Sequence, residues 1–216
     1  MTIALIDYGA GNLHSCGKAL ERALLAAGRS VRVMIGADPD VIARADHILL
    51  PGDGAFRDCR MALGAVDGLI EALHHAVKVK GRPFLGICVG MQLLADTGEE
   101  RGETAGLGWI PGRVVALDAK VRHLKVPHMG WNTLEARGEH KVLDGLRFSE
   151  TGLHAYFLHS YHLIPAQQSD LLAVAEYGGP VSAIIGRDNL LGTQFHPEKS
   201  QSLGLKLLQN FVTWQP

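Results

Sequence analysis

Residues 84–94 read Phe-Leu-Gly-Ile-Cys-Val-Gly-Met-Gln-Leu-Leu, an apolar run that ends at Cys88 and continues into a helix-like pattern. Glycines flank the cysteine at positions 86 and 90. Residues without a Cβ atom let a strand and the following helix pack closely around a sharp turn, the arrangement called a nucleophile elbow. The first N–H groups of such a helix also favour a thiolate. The stretch predicts a strand–turn–helix unit with Cys88 as nucleophile; the alternative is a small buried cysteine.

The sequence around this unit predicts an α/β fold: an open, mostly parallel twisted sheet flanked by helices, with an additional antiparallel β-rich part in the second half. Short apolar runs alternate with amphipathic stretches. The predicted parallel strands are 3–7, 31–35, 48–50 and 83–88, and the predicted helices are 13–27, 67–80, 89–95 and 199–211. The later predicted strands are 112–117, 128–134, 155–164, 172–177, 183–187 and 191–195, with a hairpin turn at 188–189. We see no linker or repeat, so 1–216 is expected to be one domain.

Composition narrows the class of protein. The chain has 216 residues, of which 47% are hydrophobic, and a formal net charge of -1. Near-neutral charge argues against nucleic acid or an anionic membrane as the main partner. Three cysteines form no disulfide framework, and the N-terminus resembles a first strand rather than a signal peptide, so a reducing cytoplasm is expected. No apolar run is long enough to cross a bilayer. No metal-binding pattern is visible, and we expect no cofactor.

A second motif offers a base for the cysteine. Residues 191–200 read Leu-Gly-Thr-Gln-Phe-His-Pro-Glu-Lys-Ser. His196 can take the thiol proton, and Glu198 can bind the other ring nitrogen and so fix its tautomer. Pro197 favours extended geometry at His196, and residues two apart in an extended segment point to the same side. The two motifs together predict a triad of Cys88, His196 and Glu198.

These residues carry a family resemblance. Cys88 in Gly-Ile-Cys-Val-Gly-Met-Gln, with His196 and Glu198 in Phe-His-Pro-Glu, resembles the triad class of glutamine amidotransferases, and the resemblance covers nearly the whole chain. It implies hydrolysis of the side-chain amide of glutamine through a thioester on Cys88. The products are glutamate and ammonia, and members of this class pass the ammonia to a synthase.

Such a reaction needs N–H donors for the oxyanion. One predicted donor is the backbone N–H of Val89, the residue after the nucleophile. Residues 50–56, Leu-Pro-Gly-Asp-Gly-Ala-Phe, resemble the oxyanion strand of the family and contribute Gly52, Asp53 and Gly54; the alternative is a plain Pro-Gly turn. Valine is commoner in the family where this chain has Asp53. Because a carboxylate would repel an oxyanion, we expect the side chain of Asp53 to point away and its backbone to be the donor.

Four residues are expected to bind the glutamine substrate. Gln92 lies one helical turn after Cys88 on the same face, and by resemblance it contacts the substrate. Glu100 matches a family acid near the substrate amino group; the alternative is a solvated loop charge. Ser160 and Tyr161 belong to His-Ser-Tyr-His at 159–162, which resembles the family segment whose backbone holds the α-carboxylate.

Two further segments indicate a partner. Residues 7–13, Asp-Tyr-Gly-Ala-Gly-Asn-Leu, and 127–132, Pro-His-Met-Gly-Trp-Asn, resemble the glutaminase subunits of imidazole glycerol phosphate synthases from histidine biosynthesis. In that family these segments face a cyclase subunit, a (β/α)8 barrel. An exposed Met and Trp suit an interface anchor, although Trp131 could instead pack under its own sheet. The resemblance implies a heterodimer with such a cyclase through Asn12, Met129, Trp131 and Lys199.

Three other functions stay open at this point. The same chemistry could serve anthranilate or aminodeoxychorismate synthase, although the segments 7–12 and 129–132 disfavour this. A cysteine hydrolase or peptidase acting alone could use the same elbow, although Gln92 and the Pro-Gly-Asp-Gly segment disfavour it. A catalytically inactive binding subunit is disfavoured by the complete triad.

Overall fold

The computed structural model describes residues 1–118, 124–148 and 152–216. In chain order the strands are β1 (Thr2–Ile6), β2 (Arg32–Gly36), β3 (His47–Gly52), β4 (Phe84–Cys88), β5 (Thr97–Gly98), β6 (Thr104–Ala105), β7 (Gly112–Ala116), β8 (His128–Thr133), β9 (Glu135–Ala136), β10 (His154–His159), β11 (Tyr161–Pro165), β12 (Leu171–Glu176), β13 (Pro180–Arg187) and β14 (Leu190–Thr193). The α-helices are α1 (Leu13–Ala26), α2 (Pro39–Ile42), α3 (Phe56–Gly64), α4 (Leu69–His74), α5 (Val89–Gln92) and α6 (Gln201–Thr213). A π-helical segment follows α4 at His75–Val79, and 3-10 turns lie at Lys141–Leu143, Gln168–Asp170 and Pro197–Lys199.

The main sheet has eight strands in the order β2-β1-β3-β4-β14-β13-β12-β9. Strands β1 to β4 and β14 pair in parallel, whereas β13, β12 and β9 are added by antiparallel pairing. Strands β3 and β4 are buried along their whole length, as expected for parallel strands that are covered on both faces. Two smaller sheets, β10-β8 and β11-β7-β5-β6, contain the remaining strands, all but β5 and β6 of them from the second half. The predicted α/β class, mostly parallel with an antiparallel addition, is confirmed.

Helix α1 shows how an amphipathic pattern builds the layer beside the sheet. Its buried residues recur at helical spacing, and it packs against α6. The side-chain oxygen of Asn12 accepts a hydrogen bond from the backbone N–H of Ser15 at 3.0 Å and caps the helix. Within the part of the chain that the structure covers, no helix is long and apolar enough to cross a membrane. Cys16, Cys59 and Cys88 are all free thiols.

The predicted strand 155–164 is two strands. The strand is interrupted at Ser160, so that β10 pairs with β8 while β11 pairs with β7 in a different sheet. The sequence does not mark the break, because residues 155–164 contain neither glycine nor proline. The hairpin turn predicted at 188–189 is confirmed, since Arg187 at the end of β13 pairs with Leu190 at the start of β14.

The predicted helix 89–95 is too long, because α5 ends at Gln92. The backbone N–H of Leu107 donates to the carbonyl of Leu93 at 2.8 Å, and a longer helix would need that acceptor for its own next turn. Two other helices, α4 and α6, begin two residues later than predicted. Helix α4 begins at Leu69 because Gly68 has a left-handed φ of 72°.

The predicted helix 199–211 begins at Gln201, because the preceding residues form the 3-10 turn Pro197–Lys199. Helix α3, which starts directly after the Pro-Gly segment, is not among the predicted helices. The backbone N–H of Phe56 at its start donates to the carboxylate of Glu100 at 2.8 Å, 44 residues away in sequence. A contact so distant in sequence is not visible as a local capping motif.

Candidate active site

The nucleophile elbow predicted at Cys88 is present. Strand β4 ends at Cys88, which has a positive φ of 54°, and α5 begins at the next residue. A Cβ atom at Gly86 would overlap the carbonyl of Gly90, and one at Gly90 would overlap the carbonyl oxygen of Leu50 in β3. The two flanking glycines are therefore required by close backbone contacts, as the sequence indicates.

The triad residues meet because their strands are neighbours. Strand β14 pairs with β4, so the segment that follows β14 lies beside the elbow. Nδ1 of His196 lies 2.9 Å from Oε1 of Glu198, and the two side chains are 8% and 2% exposed. This contact leaves Nε2 of His196 as the nitrogen available to Cys88. Burial alone would lower the pKa of His196, but hydrogen bonds to Cys88 and Glu198 outweigh it and raise the pKa to about 10.

Ser200 fixes the backbone of His196, a role that was not predicted from the sequence. Its hydroxyl donates to the carbonyl of His196 at 2.6 Å and accepts from the N–H of Tyr156 at 2.9 Å. The N–H of His196 donates to the carbonyl of Tyr156 at 3.0 Å. The backbone of His196 is therefore fixed against strand β10. Ser200 is completely buried. In the sequence, only its position four residues after His196 points to this role.

A pair of buried amides adjoins the nucleophile. Nε2 of Gln92 donates to the carbonyl of Tyr161 at 2.9 Å and to Oε1 of Gln194 at 3.0 Å. Nε2 of Gln194 in turn donates to Sγ of Cys88 at 3.6 Å. Gln194 is absent from the predicted site. Its position two residues before His196 in an extended segment places it on the side of the base, and this spacing could have identified it.

A cavity of about 220 Å³ opens beside the sulfur. The predicted substrate residues Gln92, Glu100, Ser160 and Tyr161 all line it with Cys88. The other lining residues are Asp53, Gly54, Val89, Pro127, Leu158 and His159.

Glu100 has a structural contact in addition to its place at the cavity. One carboxylate oxygen accepts from the N–H of Phe56 and so caps α3. The alternative that Glu100 is merely a solvated loop charge is therefore wrong. Its predicted contact with the substrate amino group stays a prediction.

The predicted oxyanion segment is held in place by hydrogen bonds from two buried side chains. The hydroxyl of Tyr8 donates to the carbonyl of Pro51 at 2.9 Å, and the thiol of Cys59 donates to the carbonyl of Asp53 at 3.2 Å. Burial raises the pKa of both Tyr8 and Cys59, so both stay neutral donors. Gly52 does not line the cavity; a Cβ atom there would lie 2.5 Å from the backbone nitrogen of Gly90. Gly52 therefore brings β3 against the elbow.

A second group of buried histidines lies next to the cavity wall. Nδ1 of His128 is 3.0 Å from Nε2 of His159, and Nδ1 of His159 is 3.0 Å from the carbonyl of Tyr161. The ring of His128 stacks on Phe157 and on Tyr177. Burial lowers the pKa of His128 to about 4 and that of His159 to about 3. Among the described residues, no group of three or more His, Cys, Asp or Glu side chains could hold a metal ion.

The predicted interface residues lie mostly on one exposed surface. Met129 and Trp131 on β8 are 62% and 48% exposed, so Trp131 does not pack under its own sheet. The ring of Trp131 is 5.5 Å from that of Tyr156, and Nζ of Lys199 is 5.7 Å from the same ring. Asn12 is exposed at the start of α1. We call Met129, Trp131, Tyr156 and Lys199 the aromatic surface.

Comparisons with known proteins agree with this geometry. The family model described as glutamine amidotransferase class-I matches residues 4–214. The chain is 52% identical to the imidazole glycerol phosphate synthase subunit HisH of Rhodopseudomonas palustris and 54% identical to that of Bradyrhizobium diazoefficiens. Each alignment covers 100% of both chains.

Solved structures share the fold. A crystal structure of a glutamine amidotransferase superposes with a TM-score of 0.69 at 16% identity, covering 97% of this chain and 99% of that one. The glutaminase domain of Trypanosoma brucei CTPS with bound acivicin superposes with a TM-score of 0.66 at 14% identity, covering 98% of this chain and 92% of that one. At these identities the likeness establishes the fold alone.

Proposed function

The chain belongs to the class I glutamine amidotransferase family, and we propose that it is the glutaminase subunit of an imidazole glycerol phosphate synthase. The observation that carries the proposal is the cavity where Cys88, backed by the buried pair of His196 and Glu198, lies beside the residues expected to bind glutamine. Residues 1–216 would act as one glutaminase domain. The full-length identity to the HisH subunits supports this synthase over others with the same chemistry.

The mechanism begins with the transfer of the Cys88 proton to His196. The thiolate attacks the side-chain amide carbon of glutamine, and Glu198 stabilises the imidazolium that forms. The imidazolium then gives its proton to the departing nitrogen, which leaves as ammonia. Water, deprotonated by His196, hydrolyses the thioester to release glutamate and restore the thiol.

Cavity residues have distinct roles in these steps. The backbone N–H groups of Val89 and Asp53 are proposed to stabilise the oxyanion, with Gly52 and Gly54 giving the strand its shape. Asp53 is exposed and lines the cavity, and its carboxylate is proposed to point away from the developing charge. Gln92 and Glu100 would bind the polar groups of glutamine, and the backbone at Ser160 and Tyr161 would bind its α-carboxylate.

The product explains the need for a partner. Ammonia that reaches bulk water becomes mostly ammonium, which is not a nucleophile, so a dry path into a synthase preserves it. We propose a heterodimer with a cyclase subunit, a (β/α)8 barrel. The partner would contact the aromatic surface and Asn12, because exposed Met and Trp side chains are typical interface anchors. The cyclase would use the ammonia to make imidazole glycerol phosphate and an aminoimidazole carboxamide ribotide. The three free thiols fit the expected cytoplasmic location.

Replacement of the nucleophile tests the proposal. Cys88→Ser, mixed with the cyclase subunit from the same genome, should lose glutamine-dependent synthesis by about 10³-fold or more, because the hydroxyl is a much weaker nucleophile than the thiolate. Synthesis from added ammonium should be unchanged, because it bypasses Cys88. Both activities are measured as formation of imidazole glycerol phosphate.

A matched control is Cys16→Ser, since Cys16 is also buried but lies in α1 outside the cavity. It should retain glutamine-dependent synthesis. Loss of ammonium-dependent synthesis in Cys88→Ser would contradict the proposed division of labour between the subunits. Full glutamine-dependent synthesis in that variant would contradict the role of Cys88.

A further inference from the structure

Gln194 is fully buried immediately after β14, and the mechanism above does not use it. Its Nε2 atom is 3.6 Å from Sγ of Cys88, a distance suited to an N–H···S hydrogen bond. A thiolate at this position would accept that bond more strongly than a neutral thiol would, since hydrogen bonds to ionised groups are the stronger kind. The orientation of the Gln194 amide therefore matters, because its oxygen in the same place would repel the thiolate.

A backbone carbonyl decides that orientation. The carbonyl oxygen of Tyr161 can only accept hydrogen bonds, so Gln92 must direct its NH2 group towards it. The same NH2 group reaches Gln194, which must therefore present its oxygen to Gln92. The nitrogen of Gln194 is then left to face the sulfur of Cys88. A rotated Gln92 amide would place two acceptors against each other.

The carbonyl of Tyr161 is itself held by a second donor. Nδ1 of His159 must carry the hydrogen that binds this carbonyl, so Nε2 of His159 accepts from Nδ1 of His128. Nε2 of His128 then accepts from the side-chain NH2 group of Asn132 at 3.3 Å. Each bond from Asn132 to the carbonyl of Tyr161 points towards that carbonyl, and both imidazoles are neutral. The lowered pKa values of the two histidines agree with that state.

We propose that Gln194 is a further catalytic residue, whose amide N–H donates to the Cys88 sulfur and stabilises the thiolate. The acceptor-only carbonyl of Tyr161, acting through Gln92, keeps the amide in the donating orientation. This inference deepens the proposed function and rests on it, because it assigns Gln194 to the glutaminase step.

Reactivity of the thiol measures this interaction directly. The titratable groups near Cys88 are His196, Tyr8 and Cys59, together with Asp53, Glu100 and His159, which line the same cavity. Burial raises the pKa of Tyr8 and of Cys59, so neither becomes charged near neutral pH. The pH dependence of Cys88 alkylation therefore reports the proton shared by Cys88 and His196, together with any donor to the sulfur.

The test compares alkylation of Cys88 by iodoacetamide across pH in two variants, with the modified peptide quantified by mass spectrometry. Gln194→Met removes the donor while keeping a side chain of similar length, and Gln194→Glu places a carboxylate beside the sulfur. Loss of the donor should raise the pH of half-maximal alkylation by about one unit, and the carboxylate should raise it further. Folded Gln194 variants with the wild-type midpoint would overturn the proposal.

A matched control lies at the other end of the same strand. Asn189 is a buried amide whose Nδ2 donates to the carbonyls of Val77 at 2.8 Å and Arg82 at 2.7 Å. Asn189→Asp should lower the thermal stability but leave the alkylation midpoint at the wild-type value. An equal shift in Asn189→Asp would mean that loss of any buried amide changes the site, and the proposal would fail.

A measurement on the unaltered protein covers the case in which the Gln194 variants do not fold. In protein labelled with nitrogen-15, the side-chain amide resonances of Gln194 should move over the pH range of Cys88 alkylation. Resonances that do not move overturn the proposal. Alkylation needs no glutamine turnover, so failure of the proposed function is recognised separately: the midpoint shifts would persist in a protein without glutaminase activity.

Discussion

Two buried histidine sites in this molecule behave in opposite ways. His196 at the triad is 6% exposed, and its pKa is raised to about 10. His128 and His159 are 3% and 6% exposed, and their pKa values are lowered to about 4 and 3. The degree of burial is nearly the same, so burial cannot explain the difference.

The groups around each histidine explain why the pKa values shift in opposite directions. His196 contacts the carboxylate of Glu198 and the thiol of Cys88, which both favour a positive ring. His128 and His159 contact aromatic rings, an amide and a carbonyl, but no carboxylate. The hydrogen bond of His159 to the carbonyl of Tyr161 only partly offsets the loss of hydration of a charged ring. One site is therefore built to exchange a proton, whereas the other is built to hold its protons in place.

The largest effect is expected from a change at the triad histidine. His196→Asn removes the base and the acid, so glutamine hydrolysis should fall by about 10³–10⁴-fold. The matched variant His159→Asn should retain most of kcat, because His159 exchanges no proton with the substrate. Steady-state glutaminase assays with the cyclase present compare the two. Equal losses of kcat would mean that both histidines act as bases.

A smaller effect is expected from Glu198→Gln. The amide keeps the shape of the side chain but cannot stabilise a charged ring, so the pKa of His196 should fall and kcat should drop by about 10²-fold. The pH profile of kcat/KM measures both changes. The exposed residue Glu139 gives the control, since Glu139→Gln should leave the profile unaltered. An unaltered profile in Glu198→Gln would remove Glu198 from the triad.

The smallest effect concerns stability as a function of pH. Free histidine titrates near 6.5, whereas the folded pKa of His159 is lowered to about 3. Between these values the unfolded chain binds a proton that the folded chain does not, so the free energy of unfolding falls as the pH falls through this window. His159→Asn should reduce that slope by up to about 1.4 kcal/mol per pH unit. Urea unfolding at a series of pH values measures it.

The sign is reversed for His196. Its raised pKa gives a contribution that is fully present below about pH 6.5 and is lost as the pH rises towards 10. His196→Asn should therefore flatten the alkaline side of the stability curve and leave the acid side intact. His154, exposed on the same strand as His159, is the control, and His154→Asn should change neither side. An unchanged acid slope in His159→Asn would refute the lowered pKa.

The triad and elbow could be predicted because each is encoded in a short stretch. Cys88 and its glycines are contiguous, and His196 and Glu198 are two residues apart. Their meeting requires only that β4 and β14 be neighbours, which a parallel sheet makes natural.

The buried polar network could not be predicted in this way. The bond between His128 and His159 depends on the register of β8 against β10, which pairs these two residues directly. The bond between Gln92 and the carbonyl of Tyr161 depends on the break at Ser160, which no glycine or proline marks in the sequence. Helix α5 is short because a distant segment binds the carbonyl of Leu93.

The glycines around the elbow have a consequence for how this sequence can vary. Gly86 and Gly90 take no part in the chemistry, yet even a methyl group at either position would overlap a backbone atom. In a library of random substitutions they should be as intolerant as the triad itself. Glutaminase selection would then mark them as essential although they touch no substrate. Close backbone packing can therefore restrict substitution as strictly as a catalytic role does.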